Sequence, residues 1–298
     1  SANTTIAAKA MRALPVGFPK VLVSTLASGD VSPWIDTKDI ALIYSVVDIA
    51  GINRISARIL TNAARAVVAM AQPYTPPPER SKGLIAATMF GVTTPCVTAA
   101  RRILEGAGWE VLVFHATGTG GRAMEALIAD GFIAGVLDIT TTELADELVG
   151  GVLSAGPDRL RAAGRAGIPQ VVSVGAVDMV NFGPPETVPE RFRGRKLHRH
   201  NPAITLMRTT VDECAEIGRR IAERLSDAKG RVSVLAPLRG VSAIDIEGQP
   251  FHDPEAGRAL RVAIRENLPP GISYEEIDTD INDPAFARRA AESLLAIL

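Results

Sequence analysis

The densest ligand-binding chemistry in this sequence is a glycine-rich segment, His115-Ala116-Thr117-Gly118-Thr119-Gly120-Gly121. Three glycines in four positions let a backbone approach a bound group closely, and two threonine hydroxyls add hydrogen-bond donors. The segment lacks the third glycine of a dinucleotide fingerprint and the Gly-Lys-Ser/Thr of a P-loop. We predict that Thr117–Gly121 bind an anion, and that a side chain at Gly120 would fill space the ligand needs. His115 is either an acid/base or phosphate ligand, or a structural histidine.

Four further segments place glycine, hydroxyl or carboxylate groups directly after apolar runs. Each could hold a phosphate, a metal-bound water or a ribose, and each also fits an ordinary turn or helix cap. The candidate nucleotide- or anion-binding residues in them are Ser24, Thr25, Ser28, Gly29 and Asp30; Gly91, Thr93 and Thr94; Thr140, Thr141 and Thr142; and Asp178 and Asn181.

Two other clusters carry polar chemistry. Residues 183–202 form a predicted long loop that ends in His198-Arg199-His200-Asn201 and suits either an anion or solvent. The two histidines would face the same side of an extended segment, but no third ligand is evident, so we predict no metal site. Asp48, Asn53 and Arg54 lie near a predicted helix start, where they suit a subunit contact or an inter-domain ligand. Cys96 and Cys214 fit neither a disulfide framework nor a zinc site, and are expected to be buried.

The elements that would position these groups alternate between short apolar runs and amphipathic stretches, which is typical of β/α units around a parallel sheet. The predicted strands are 20–24, 83–87, 111–114, 135–138, 170–174 and 232–236. The predicted helices are 6–14, 95–106, 122–131, 158–167, 211–229 and 254–268. Ligands of such sheets bind beyond the carboxyl ends of the strands, where helix N-termini favour anions.

Three consecutive prolines, Pro76 to Pro78, divide the chain, because proline lacks an amide donor and is held extended. We predict an α/β fold of two Rossmann-like three-layer subdomains with mainly parallel sheets. Residues 1–72 are the C-terminal part of a first, incomplete subdomain, 73–81 a proline-rich linker, and 82–298 a second subdomain. A 70-residue partial domain is marginal on its own. We therefore expect a missing N-terminal segment of the same protein as a partner, and a homodimer that covers the apolar stretch from Tyr44 to Ile55.

Composition excludes several partners. Among 298 residues, 32 basic side chains face 33 acidic ones, for a net charge of −1. This balance removes the general phosphate attraction on which nucleic-acid binders rely. An uninterrupted apolar run of membrane-spanning length is absent, as is a signal segment, so we predict no membrane association and a cytoplasmic protein.

Several long motifs carry a resemblance to a known family. They are Met11 to Gly17, Val23 to Thr25, Ala27 to Asp30, Tyr44 to Gly51, Asn53 to Ser56, Met89 to Pro95, Phe114 to Gly121 and Asp138 to Glu143. Together they resemble the family of the ATP-binding N-terminal region of the tomato mosaic virus resistance protein. The resemblance implies two Rossmann-like subdomains, ATP binding and self-association, and in the plant member the binding of a viral replication protein. Members of that family begin roughly 100 residues before the position of Ser1, with a glycine-rich turn just ahead of it.

Three functional hypotheses follow, and the fold alone does not choose among them. The first is an ATP-dependent enzyme or switch with a ligand site in the interdomain cleft. Its Mg²⁺ would be held through water by Asp30, Asp138 or Asp178. The second is an enzyme on a small carboxylate or carbonyl substrate with His115 as acid/base. The third is a binding or scaffolding protein without turnover.

Overall fold

The computed structural model describes residues 2–73 and 81–298, so most of the proline-rich linker lies outside the described residues. The chain divides into two compact units, Ser1–Glu79 (unit 1) and Arg80–Leu298 (unit 2). Both cysteines are buried free thiols, as predicted.

Unit 1 is a small α/β unit built on two parallel strands. In chain order its elements are α1 (Ala2–Arg12), β1 (Val21–Ser24), a 3₁₀ turn (Thr25–Ser28), α2 (Ser32–Ile35), β2 (Ala41–Tyr44) and α3 (Arg54–Met70). Ala8 of α1, Leu22 of β1 and Ile40 form its core. The predicted start of α1 at Ile6 is wrong, because Asn3 and Thr4 already lie in its first turn.

The start of α3 has a strong local signal. The Asn53 side chain accepts hydrogen bonds from the amides of Ile55 and Ser56, both at 2.9 Å. The Ser56 hydroxyl in turn accepts from the Asn53 amide at 2.8 Å. This reciprocal arrangement satisfies amides that a helix leaves without intrahelical acceptors. The polar residues predicted near a helix start therefore include a true cap, Asn53.

Unit 2 contains a six-stranded parallel sheet. The strands of unit 2 as a whole are β3 (Leu84–Met89), β4 (Glu110–His115), β5 (Gly135–Thr140), β6 (Gln170–Gly175), β7 (Met179–Phe182), β8 (Leu197–Asn201), β9 (Ile204–Arg208), β10 (Val232–Pro237) and β11 (Ser273–Ile277). Its helices are α4 (Thr94–Gly106), α5 (Thr119–Ala129), α6 (Glu143–Val149), α7 (Ala162–Ala166), α8 (Val211–Leu225), α9 (Pro254–Asn267) and α10 (Pro284–Ile297). The parallel sheet has the order β11-β10-β6-β5-β3-β4.

Side chains of this sheet alternate between two helical layers, as the period of two in a strand requires. Ile85 and Leu137 pack with residues of α4 and α10. Ala86 and Val136 pack on the opposite face with Met124 of α5. Unit 2 is thus a three-layer α/β structure, which confirms the predicted fold class.

Two predicted elements of unit 2 differ from the structure. The loop predicted at 183–202 contains β8, which pairs antiparallel with β9, and β9 pairs with β7 in a second sheet of three strands. The helix predicted at 158–167 is reduced to α7, because Leu160 has a left-handed φ of 76° that a helix cannot include. Arg159 and Leu160 are both buried, so tertiary packing overrides helix propensity there.

Candidate functional site

The carboxyl edge of the parallel sheet gathers four of the five predicted segments. Strands β3, β4, β5 and β6 end at Met89, His115, Thr140 and Gly175, immediately before those segments. Open α/β sheets bind ligands at this edge. Sequence position alone therefore brings the predicted groups into one region of unit 2, but their hydrogen bonds determine which of them face a ligand.

The glycine-rich segment is bonded to a carboxylate of the protein itself. Oε1 of Glu143 accepts hydrogen bonds from the amides of Gly118 at 2.7 Å and Gly121 at 3.0 Å. Glu143 is fully buried. The sequence correctly indicated amides placed around an anion at the start of α5, but the anion is an internal side chain. These two amides are therefore not directed at a bound phosphate.

Gly120 and Gly118 are required by backbone packing. A Cβ at Gly120 would collide with the carbonyl oxygen of His115. Gly118 has a φ of +82°, a conformation that L side chains rarely adopt. The prediction that Gly120 leaves room for a ligand is corrected, because that room is taken by the end of β4. Thr117 and Thr119 belong to the same turn, and the Thr117 hydroxyl donates to the His115 carbonyl at 3.3 Å.

Glu143 belongs to a buried ionic cluster centred on Arg159. Nε of Arg159 donates to Glu143 at 2.6 Å, and its two terminal nitrogens donate to both oxygens of Asp138. Glu125 lies 3.3 Å from the same guanidinium. Burial opposes the charge of Arg159, but Asp138 and Glu143 hold its pKa well above the usual value. The cluster explains why Asp138 is not free to hold a metal-bound water. The sequence patterns did not indicate Arg159, although Asp138, predicted to hold Mg²⁺ through water, would need a cation once buried.

The threonine hydroxyls of the strand ends are used inside the fold. Oγ1 of Thr93 and Oγ1 of Thr140 are 2.8 Å apart, and Thr141 donates to the Ser173 carbonyl at 3.0 Å. Thr94 donates to the Phe90 carbonyl at 3.2 Å. The Thr142 hydroxyl is buried without a partner in the described part of the chain. Thr93, Thr140 and Thr141 therefore join the ends of β3, β5 and β6 to one another, whereas the Thr94 hydroxyl bonds within its own turn.

Asp178 and Asn181 are also interior residues, in separate hydrogen-bond networks. Ser242 donates to Asp178 at 2.8 Å, and burial together with the nearby carboxylate of Asp245 raises the pKa of Asp178 to about 7. The Asn181 side chain donates to Asp146 at 2.7 Å. Burial raises the pKa of Asp146 to about 7. Both carboxyl groups accept hydrogen bonds from side chains of the protein itself, and burial is the main cause of their raised pKa values.

A cavity of about 270 Å³ opens beside these networks. It is lined by Phe90, Gly91, Val92, His115, Thr117, Leu153, His200, Asn201, Ile204 and Leu206. The His115 side chain is exposed, and its ring centroid lies 5.4 Å from that of Phe90. The two histidines of the predicted loop have different surroundings. The His198 ring packs edge-on against Phe251, with ring centroids 6.1 Å apart, while His200 lines the cavity.

A second pocket, of about 370 Å³, lies in unit 1. Its lining residues are Asn3, Thr4, Ala7, Leu22, Val23, Ser24, Thr25, Asp48 and Ile49. The pocket lies between the first turn of α1 and the carboxyl ends of β1 and β2. Ser28, Gly29 and Asp30 follow in the next turn and are not part of its lining. Asp30 instead accepts from the Ser32 amide at 3.0 Å, which lowers the pKa of its carboxyl.

Two other kinds of site are absent from the described ranges, 2–73 and 81–298. No helix in them is long and apolar enough to cross a membrane. Within the same ranges, no three His, Cys, Asp or Glu side chains converge as metal ligands would.

Comparison with known proteins identifies the family. Residues 1–76 match the N-terminal domain, and residues 82–298 the C-terminal domain, of an uncharacterised protein family designated UPF0261. The chain belongs to this family. A UPF0261 protein of Clostridium tetani is 55% identical over 100% of this chain and 74% of its own length. A UPF0261 protein of Rhizobium meliloti is 56% identical over 97% of this chain and 72% of its own.

A plant relative supports the resemblance noted from the motifs. The tomato protein named ToMV resistance protein Tm-1 is 46% identical over 100% of this chain and 40% of its own length. The family expected from the motifs is therefore confirmed. ATP binding and an additional N-terminal segment stay predictions.

Proposed function

We propose that unit 1 binds the phosphate groups of a nucleotide, with ATP as the first candidate, in the pocket between α1 and the ends of β1 and β2. The observation that carries this proposal is the lining of that pocket. Polar groups of Asn3, Thr4, Ser24 and Thr25 meet there beyond the carboxyl ends of two parallel strands. Ligands of open α/β sheets bind beyond this edge of the sheet, and the hydroxyl and side-chain amide groups there are able to donate hydrogen bonds to phosphate oxygens.

The hydrogen bonds around β1 support a preformed site. The Ser24 hydroxyl accepts from the Leu26 amide at 3.1 Å and lies 3.0 Å from the Thr4 hydroxyl. These contacts fix the start of α1 against the end of β1. The Thr25 hydroxyl has no hydrogen-bond partner among the residues that the structure describes and is partly exposed. It is therefore available to donate to a phosphate oxygen.

Asp48 determines which form of the ligand fits. Its exposed carboxylate lines the same pocket and would repel a bare triphosphate. A Mg²⁺ ion or a ribose hydroxyl at Asp48 removes that repulsion, since carboxylate oxygens suit both. We therefore expect Mg-ATP to bind in preference to metal-free ATP.

Calorimetric titration of the whole chain with ATP, with and without Mg²⁺, tests the proposal. Thr25→Val removes one hydroxyl at nearly constant shape and should weaken binding about threefold to tenfold, the contribution of one hydrogen bond. Asn3→Asp places a negative charge in the pocket and should weaken binding about tenfold. Because Asn3 is exposed, this substitution should not lower thermal stability.

Thr61→Glu is the charge-matched control. Thr61 is an exposed residue in the middle of α3, outside the pocket lining. This variant should bind Mg-ATP as the wild type does. Absence of saturable ATP binding, or equal affinity in all four proteins, would reject the proposed site.

We further propose that the protein self-associates through the apolar stretch of unit 1 between Tyr44 and Ile55. Ile52 is 82% exposed there, and Val46, Ile49 and Ile55 are each more than half exposed. Contiguous exposed apolar side chains mark interaction surfaces. Light scattering should give at least a dimer mass for the wild type, and a lower mass for Ile52→Asp. A wild-type monomer at micromolar concentration would contradict this proposal.

A further inference from the structure

We infer that the cavity of unit 2 is a second ligand site, which takes a small and mainly apolar monocarboxylate. The site lies beyond the ends of β3 and β4, with β8 and β9 contributing its other wall. It is independent of the nucleotide pocket proposed for unit 1.

The size and lining of the cavity restrict the ligand class. Its volume of about 270 Å³ is just below the ~300–1,000 Å³ of typical small-molecule pockets. Phe90, Val92, Leu153, Ile204 and Leu206 supply an apolar wall. Transfer of a compact hydrocarbon or aromatic group from water to such a wall is favourable, so a ligand that carries one binds more tightly. A whole nucleotide is too large and too polar for it.

The described lining of the cavity lacks the positive charges that a polyanion would need. None of the described residues that line it is Lys, Arg, Asp or Glu. A bound phosphate would need a permanent positive charge or several charge-assisted hydrogen bonds. The lining offers weaker polar groups, which suit a single carboxylate that carries one delocalised charge.

Those polar groups include hydrogen-bond donors without internal acceptors. The imidazole nitrogens of His115 and His200 take part in no hydrogen bond within the described residues. Oδ1 of Asn201 accepts from the Ala203 amide at 2.8 Å, which leaves the side-chain NH₂ of Asn201 as a donor. Two imidazoles and an amide beside an apolar wall match a ligand with an apolar body and one oxygen-bearing end.

Binding can be measured on the whole wild-type chain by NMR with 4-fluorobenzoate as the probe. Fluorine spectra should show saturable binding below about 10 mM, and 4-fluorotoluene, which lacks the carboxylate, should bind more weakly by about tenfold. With isotope-labelled isoleucine methyl groups, 4-fluorobenzoate should change the chemical shift of the Ile204 methyl group, which belongs to a residue of the cavity lining. It should leave Ile133 and Ile264, which lie in the cores of unit 2, unchanged.

A matched pair of glycine substitutions tests the location. A Cβ at Gly91 meets no atom within 4 Å and needs no left-handed backbone, so Gly91→Leu should add bulk to the lining without straining the backbone. Gly106, at the end of α4, has the same open surroundings but lies outside the cavity. Gly91→Leu should weaken 4-fluorobenzoate binding about tenfold or more, and Gly106→Leu should leave it unchanged.

His115→Leu tests recognition of the carboxylate. Because His115 is exposed, the substitution should not disturb folding. It should weaken 4-fluorobenzoate binding while leaving 4-fluorotoluene binding unchanged or stronger. The inference is overturned if the wild type shows no saturable binding, if Ile204 does not respond, or if Gly91→Leu and Gly106→Leu bind equally. The Ile204 response needs no variant, so the test remains decisive even if a substituted chain does not fold.

Discussion

The end of β1 in unit 1 and the end of β4 in unit 2 are both followed by small and hydroxyl residues, yet they differ in what their polar groups contact. At the end of β4, the amides of Gly118 and Gly121 are bonded to the buried carboxylate of Glu143. At the end of β1, Ser24 and Thr25 line a pocket that also receives the first turn of α1. A loop whose amides surround an anion can therefore bind a ligand only where no carboxylate of the protein already occupies that position.

The two regions also differ in charge. In the buried cluster beside the end of β4, the guanidinium of Arg159 contacts the carboxylates of Asp138, Glu143 and Glu125. Burial raises the pKa of Glu125 despite its nearness to Arg159. Among the described residues that line the pocket of unit 1, the one carboxylate is that of Asp48, which is exposed to solvent. Substitutions in the first region should therefore affect folding, and those in the second should affect ligand affinity.

The largest expected effect comes from Arg159→Met. Removal of the cation leaves buried carboxylates uncompensated, which typically costs about 3–5 kcal/mol of unfolding free energy. Urea unfolding followed by Trp109 reports on unit 2 when Trp34, the tryptophan of unit 1, is replaced by phenylalanine. The control is Arg101→Met, which removes an exposed ion pair with Glu105 and should cost less than about 1 kcal/mol. Equal costs would mean that the cluster does not stabilise unit 2.

Glu143→Ala should be the next most damaging change. It leaves the Gly118 and Gly121 amides without an acceptor, at about 1–3 kcal/mol. Because a carboxylate fits the vacated position, formate should restore part of the lost stability in a concentration-dependent way. The control is Glu143→Gln, which keeps an oxygen for the amides and should respond less to formate. Failure of formate to stabilise the alanine variant beyond the wild type would show that the loop does not recognise anions.

Gly120→Ala tests whether that glycine serves packing or a ligand. Because a Cβ there collides with the His115 carbonyl, we expect a loss of about 1–3 kcal/mol and unchanged ATP affinity. Gly106→Ala, where a Cβ meets nothing within 4 Å, should cost no stability. A loss of ATP affinity in a stably folded Gly120→Ala chain would contradict this prediction and would indicate that the nucleotide site lies in unit 2.

The smallest expected effect is a change in the pH dependence of stability. Burial raises the pKa of Asp146 to about 7, so the folded chain retains a proton that the unfolded chain releases near its ordinary pKa of 3.8. Stability from this group is therefore present at low pH and is lost as pH rises towards about 7. Asp146→Asn carries no titrating proton and should reduce that loss by at least about 1 kcal/mol.

The surroundings of Asp146 allow this substitution. Rotation of the Asn181 amide turns its Oδ1 towards the side-chain NH₂ introduced by Asp146→Asn. The Asn181 NH₂ then loses its acceptor, but this cost is the same at every pH and does not change the slope. Urea unfolding between about pH 5 and pH 7.5 measures the slope. Asp158→Asn, at an exposed ion pair with Arg165, is the control and should leave the slope unchanged. An identical slope in wild type and Asp146→Asn would contradict the prediction.

The sequence predicted the parallel strands and most helices of unit 2 because their apolar periodicity reflects burial on one or both faces. It did not predict β8, whose residues His198 to Asn201 are mostly exposed and polar and pair only through their backbone with β9. It also missed β2, β11 and α10, and of α3 it predicted only the start near Asn53. The turn at Leu160 escaped prediction because the burial of Arg159 decides it, and Arg159 is distant in sequence from Asp138.

By itself, the sequence determined the α/β class, the buried cysteines, the capped start of α3 and the placement of polar groups at strand ends. These depend on local spacing, period and backbone preference. Only the tertiary structure decided which strand ends face a cavity. Hydrogen bonds such as those from Gly118 to Glu143 and from Arg159 to Asp138 join residues more than 20 positions apart. Whether an amide or a hydroxyl is available to a ligand depends on that long-range pairing, which no local pattern records.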